Sequence, residues 1–174
     1  MNGMRVRLIT RTAVLLSIAI IFQMLGRLMG PNNNFIVGPL VNACLIISAA
    51  STGLWGGTAI SIIAPFVSAL TNKAAIAPIV LAFSPFIAAG NFILVLSYFL
   101  LAGKNKIVGI AVGAALKFVF LLISITMFAN IFKIAPAPAK VLINLFSWPQ
   151  LVTALAGGIV ALAVIKALGK SIEL

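Results

Sequence analysis

The sequence predicts an all-α integral membrane protein, a bundle of about six transmembrane helices. Of its 174 residues, 63% are hydrophobic and 7% are charged, and the mean hydropathy is +1.28. A soluble domain carries about 25% charged residues, so a folded chain with so few charges could not cover its surface in water. Lipid is the solvent that suits this composition. We therefore predict one transmembrane domain over residues 1–174.

Glycine, proline and asparagine separate the first three predicted spans. The first span covers about residues 8–29, and we interpret it as a retained helix because no small-x-small cleavage site follows it. Residues 30–34, with the sequence GPNNN, break it. The second span covers residues 38–52, Gly53 ends it, and the third covers residues 55–70.

The last three predicted spans are separated by short basic loops. The fourth covers about residues 78–101 and contains Pro85, which predicts a kink. The fifth covers residues 107–132, and the sixth covers residues 141–168 with Pro149 inside it.

The charge distribution predicts an N-in, C-in orientation. Six spans place both termini on one side, and basic residues are more numerous there, as the positive-inside rule requires. The predicted inner residues are Arg5, Arg7, Arg11, Lys104, Lys106, Lys166 and Lys170, and the outer ones are Arg27, Lys73, Lys133 and Lys140. Because these residues are scattered between apolar runs and form no stripe, we expect no nucleic acid partner.

The residue types exclude most catalytic chemistry. The chain has no His, one cysteine (Cys44) and one acid (Glu173). It therefore offers no acid–base pair, no catalytic triad, no metal cluster and no P-loop. We expect no catalytic residue, metal or cofactor, and we expect that the protein is not an enzyme. The remaining functions are a passive binder, a conduit, or one subunit of a complex whose energy is supplied by other subunits.

Lys117 is the most informative residue, because it lies about ten residues into the fifth span. A buried lysine at that depth costs several kcal/mol unless it is paired, neutral or hydrated, and no acid of this chain lies at that depth. Three interpretations remain open. Lys117 meets an anionic ligand, it lines a wet cavity or contacts a partner subunit, or it snorkels to the interface.

Other polar residues extend this candidate site. An amide at membrane depth usually forms a hydrogen bond to another helix. The clustering of Asn144, Trp148 and Gln150 near the start of the sixth span nevertheless favours a pocket. With Lys117, the candidate substrate-binding residues are Asn91, Asn144, Trp148 and Gln150 in the later spans and Asn33 and Asn34 in the first outer loop. Trp148 could equally be an interfacial anchor, and the loop asparagines could be turn residues.

Small residues at four-residue spacing predict close helix contacts. They occur at Gly109 and Gly113 in the fifth span and at Ala154 and Gly158 in the sixth, where internal packing is the simpler interpretation. In the first span, Ala13 and Ser17 have the same spacing. They could instead receive a partner membrane subunit.

Several local patterns resemble the substrate-binding S components of energy-coupling factor (ECF) transporters. They are the basic start that leads into Ala13-x-x-x-Ser17, and the segments GPLVNA (38–43), PFIAAGN (85–91) and SWPQLVTA (147–154). The similarity covers nearly the whole chain. The family pattern has Ala at both small positions of the first helix, and here the second is Ser17.

This resemblance implies a multi-pass protein of a bacterial cytoplasmic membrane. It implies that a vitamin or related micronutrient binds in the outer half of the bundle, and that a transmembrane coupling subunit contacts Ala13 and Ser17. Two cytoplasmic ATPases would supply the drive, and toppling of the S component would carry the substrate inward. The lone Lys117 favours a substrate with a carboxylate or phosphate.

Two other functions compete with a solute-binding transport subunit. If the protein is a structural or assembly subunit, we expect its polar residues to be hydrogen-bonded to one another, with no cavity between them. If it is a small oligomeric channel, we expect polar residues to line an axis that is shared between copies of the protein.

Overall fold

The computed structural model describes residues 2–26, 34–71 and 74–169, which form helices and turns with no β-strand among them. The helices are α1 (Asn2–Gly26), α2 (Asn34–Thr71), α3 (Ala77–Leu101), α4 (Lys106–Ile131), α5 (Pro136–Phe146) and α6 (Trp148–Leu168). The all-helical prediction is confirmed. The count of six transmembrane helices is not, because five stretches of the described residues are long and apolar enough to span a membrane.

The predicted second and third spans lie within α2, which is interrupted at Gly53. Gly53 has φ 68° and ψ −160°, a backbone conformation that favours glycine. A straight helix of 38 residues would be about 57 Å long. Asn34 and Ser68, near its two ends, nevertheless line the same cavity. The chain therefore reverses direction near Gly53, and the two halves of α2 run past each other.

The predicted sixth span lies within residues 136–168, which form one stretch long and apolar enough to span a membrane, but Ser147 divides it into α5 and α6. Ser147 has φ −99° and ψ −134°. Pro149 supplies no N–H and would collide with the carbonyl of Leu145 in a continuous helix. The side chain of Gln150 satisfies that carbonyl instead, with Nε2 donating to the Leu145 oxygen at 3.0 Å.

Glycines let α3, α4 and α6 approach closely, as the small-residue spacing predicts. A Cβ added at Gly109 would lie 3.3 Å from the Tyr98 Cα, and one added at Gly113 would lie 3.1 Å from the Leu94 carbonyl oxygen. A Cβ added at Gly158 would collide with the side chain of Ile110. Without a hydrophobic driving force between helices in lipid, such contacts are a main source of association.

Two apolar cores flank the centre of the bundle. One gathers buried residues of α2, α3, α4 and α6 around Leu45 and Leu94. The other is aromatic and joins α3, α4 and α5, where the Phe83 ring lies 5.3 Å from Phe128 and 5.0 Å from Phe146. Phe146 also lines the cavity, so the aromatic core supports one of its walls.

The start of α1 and the end of α6 lie at the same end of the bundle. Arg11 and Leu168 line one apolar groove together with Ser51, and Arg11 donates to the Ser51 carbonyl oxygen at 3.1 Å. Gln23, near the other end of α1, lines the cavity with Gln150 at the start of α6. The cavity therefore lies where α1 ends and α6 begins, whereas the groove extends along α1 from Thr10 to Phe22 and reaches the end of α6.

We expect Gly157→Ala to lower the thermal stability of the protein. A Cβ at Gly157 would lie 2.5 Å from the Pro39 carbonyl oxygen and 2.7 Å from the Asn42 Cβ. The α2 backbone would have to move, at a cost of about 1–3 kcal/mol. Thermal unfolding in detergent measures the loss, and Gly103→Ala is the control because nothing lies within 4 Å of a Cβ there. Equal stability of the two variants would contradict the close α2–α6 contact.

Candidate functional site

Lys117 lies at the junction of three helices, where two asparagines hold its ammonium group. Its side chain is 3% exposed. Nζ donates to Asn42 Oδ1 of α2 at 2.7 Å and to Asn91 Oδ1 of α3 at 2.8 Å. Hydrogen bonds from an ionised donor are stronger than neutral ones. The burial excludes the snorkelling interpretation, because the ammonium group does not reach the protein surface.

A protonated Lys117 has no negatively charged partner among the described residues. Both of its acceptors are neutral amides. The one acid of the sequence, Glu173, lies outside the described residues. The amides reduce the cost of burying the ammonium group but leave its charge uncompensated.

Asn42 is oriented by the start of α6. Its Nδ2 donates to Thr153 Oγ1 at 3.5 Å, a long hydrogen bond between two buried side chains. The Thr153 hydroxyl in turn donates to the Gln150 carbonyl oxygen at 3.3 Å. This series of hydrogen bonds orients the Asn42 side chain so that its oxygen faces Lys117. It also connects α2, α4 and α6 through polar groups.

A cavity of about 280 Å³ lies against these residues. Its apolar walls include Val41, Ile87 and Phe146. Its polar lining comes from every helix except α5, and consists of Gln23, Asn34, Asn42, Ser68, Asn91, Lys117 and Gln150. A cavity with apolar walls and convergent polar groups is typical of a small-molecule site.

The structure brings only some of the candidate substrate-binding residues together. Lys117, Asn91, Gln150 and Asn34 line the cavity. Asn33 lies outside the described residues. Gln150 uses its amide nitrogen on the Leu145 carbonyl, so part of its role is to stabilise the helix break.

Asn144 and Trp148 do not line the cavity. Asn144 is exposed on α5. Trp148 is 56% exposed, and its ring lies 5.6 Å from that of Phe35. This position suits the interfacial-anchor interpretation of Trp148.

The sequence-based site missed Asn42, Gln23 and Ser68. Asn42 carries the strongest available signal, since it is an amide within the apolar run of the second predicted span. Gln23 is likewise an amide inside a predicted span. A polar side chain at membrane depth is costly unless it has a partner, so both amides were candidates for the site.

Ala13 and Ser17 lie one turn apart on α1, and both are exposed. They therefore serve no packing inside this chain, and the face they form is open to another molecule. Contact with a partner subunit through this face stays a prediction.

Comparison with known proteins gives one match. The model of the family described as the substrate-specific component of ECF transporters matches residues 7–169. No curated protein and no solved structure matches the chain.

Proposed function

Because the chain belongs to the substrate-specific components of ECF transporters, a family of multi-pass cell-membrane subunits, we propose that it captures a small anionic vitamin or related micronutrient from the outer side. Members of this family are transporter subunits, and partner ECF subunits are implied with them. We propose that a transmembrane coupling subunit and two cytoplasmic ATPases supply the drive, and that toppling of this subunit delivers the substrate inward.

The single observation that carries the anionic assignment is the buried ammonium group of Lys117 beside the cavity. It has amide partners but no charge partner among the described residues. A carboxylate or phosphate entering the cavity would supply the missing negative charge in a setting of low dielectric, where such an interaction is strong. A purely structural role for Lys117 would explain its hydrogen bonds to Asn42 and Asn91, but it would not explain the cavity beside them.

The orientation that we propose is N-in and C-in, with six crossings of the bilayer. The chain reversal near Gly53 supports two crossings within α2. Basic residues flank the end of the bundle where α1 starts and α6 ends, among them Arg5, Arg7 and Lys166. By the positive-inside rule this end is cytoplasmic, so the cavity belongs to the outer half.

We expect the purified protein to carry a bound small molecule with a carboxylate or phosphate group. Native mass spectrometry of the protein in mild detergent would detect the bound mass, and release followed by fragmentation would identify it. A co-purified molecule that is cationic, or neutral without an acidic group, would contradict the anionic assignment. Retention of the same molecule by an unrelated membrane protein purified in parallel would mark it as a contaminant.

A further inference from the structure

We propose that the substrate is a monocarboxylate, with a single negative charge, and that Asn91 of α3 donates a hydrogen bond to its carboxylate beside Lys117. This inference rests on the function proposed above, and it narrows the anionic group from a carboxylate or phosphate to a carboxylate. It depends on a free donor of Asn91 and on the number of charges in the cavity lining.

The Asn91 side chain uses only one end of its amide inside the protein. Its Oδ1 accepts from Lys117 Nζ at 2.8 Å, and because an ammonium group only donates, the amide nitrogen Nδ2 is left for another partner. Nδ2 has none within residues 2–26, 34–71 and 74–169, where the one fully buried side-chain oxygen or nitrogen without a partner is Gln23 Oε1. Nδ2 therefore keeps accessible surface, although Asn91 as a whole is only 5% exposed.

The free donor of Asn91 belongs to the cavity, which this residue lines together with Asn42 and Lys117. Asn42 offers no comparable donor, because its Nδ2 already donates to Thr153 Oγ1. The two ends of the Asn91 amide are close together, so an acceptor bound to Nδ2 lies beside the ammonium group that Oδ1 contacts. An anionic oxygen therefore meets a hydrogen-bond donor and a positive charge at one place.

The charge of the lining limits the charge of the substrate. Of the lining residues that the structure describes, only Lys117 is ionisable. A carboxylate matches this one charge, and its presence favours the protonated lysine. A phosphate monoester carries about −1.5 to −2 charges at pH 7, which is more than the lining balances. Because an uncompensated buried charge is costly, the site discriminates against dianions.

Probe sets of graded charge test this inference on the purified protein. Nicotinamide, nicotinate and quinolinate form one set, panthenol, pantothenate and 4′-phosphopantothenate form a second, and biotin and lipoate are each measured against their primary amides. We expect the tightest binder to be a monocarboxylate. Its Kd should be lower than those of its neutral and more highly charged relatives by about tenfold or more.

Asn91→Asp tests the residue that we assign to the carboxylate. Aspartate keeps an acceptor for Lys117 but puts a negative charge in place of the donor. We expect the affinity for the monocarboxylate to fall by about 100-fold or more, and its primary amide or alcohol to become the tighter binder. Asn105→Asp is the matched control, because Asn105 is exposed and its Oδ1 caps α4, so the same added charge should leave the affinity unchanged.

The outcomes separate this inference from the proposed function. Equal or tighter binding of quinolinate or 4′-phosphopantothenate, or a phosphate ester that co-purifies, would overturn the single-charge requirement and leave the anionic site intact. Tightest binding of a neutral probe, or binding of no probe, would count against both. Unchanged affinities in a folded Asn91→Asp protein would remove Asn91 from the site, and if that variant does not fold, the charge series on the wild-type protein decides without it.

Discussion

Lys117→Met is expected to weaken substrate binding by about 100-fold or more, because truncating a buried charged partner costs several kcal/mol. The substrate would lose its only cationic contact at this end of the cavity and would bury its own charge without a partner. Isothermal titration with the molecule that co-purifies with the wild-type protein measures the loss.

The same substitution is expected to change the stability of the substrate-free protein much less. Met removes a buried charge whose desolvation opposes folding. It also leaves the oxygens of Asn42 and Asn91 without their donor, at a cost of about 1–3 kcal/mol each. These two effects oppose each other. Thermal unfolding without substrate measures their balance.

Lys104→Met is the matched control for the loss of one positive charge, because Lys104 is exposed in the turn before α4. It should leave affinity unchanged. If Lys117→Met also binds with wild-type affinity, Lys117 is not part of the substrate site. If its affinity and substrate-free stability fall together, the lysine serves mainly to hold α2, α3 and α4 together.

Ala13→Leu or Ser17→Leu is expected to reduce transport by about tenfold or more while leaving substrate affinity unchanged. Both residues are exposed on one face of α1, so a larger side chain meets nothing within this chain. Against a closely packed partner helix it would cost about 1–3 kcal/mol. Uptake by vesicles with the complete transporter, compared with substrate binding to the isolated subunit, separates the two effects.

Ala115→Leu is the control for this second prediction. Ala111 and Ala115 form an exposed small-residue pair on α4 with the same spacing, so the change tests whether any bulky residue on the lipid-facing surface impairs transport. Equal losses in the α1 and α4 variants would mean that the effect is not specific to a partner face. Parallel loss of binding and transport would mean that Ala13 and Ser17 support internal packing.

The fold could be predicted where the signal is local. Apolar runs locate the helical regions, and the capping side chain of Asn105, which accepts from the Ile107 and Val108 amides, begins α4 close to the predicted start. The interruptions were harder to interpret. Gly53 was predicted as an end between two helices, and Pro149 as a residue within one, whereas the break lies at Ser147.

The candidate site could be predicted only in part. The sequence shows that Lys117 is a cation within an apolar run, but it does not show which groups face it. Asn42 is 75 residues away and Asn91 is 26 residues away. Asn144 and Trp148 were grouped with Gln150 by proximity in the sequence, but both are exposed and neither lines the cavity.

The sequence by itself determined the solvent in which this protein folds, its helical architecture and the position of Lys117 within an apolar run, because these depend on composition and on local hydrophobic runs. Only the tertiary structure decided that Asn42 and Asn91 hold Lys117, and that Gln23 shares its cavity. The rotation and pairing of helices in lipid depend on close contacts such as Gly157 against Pro39. Those contacts join residues far apart in the chain, and no local pattern encodes them.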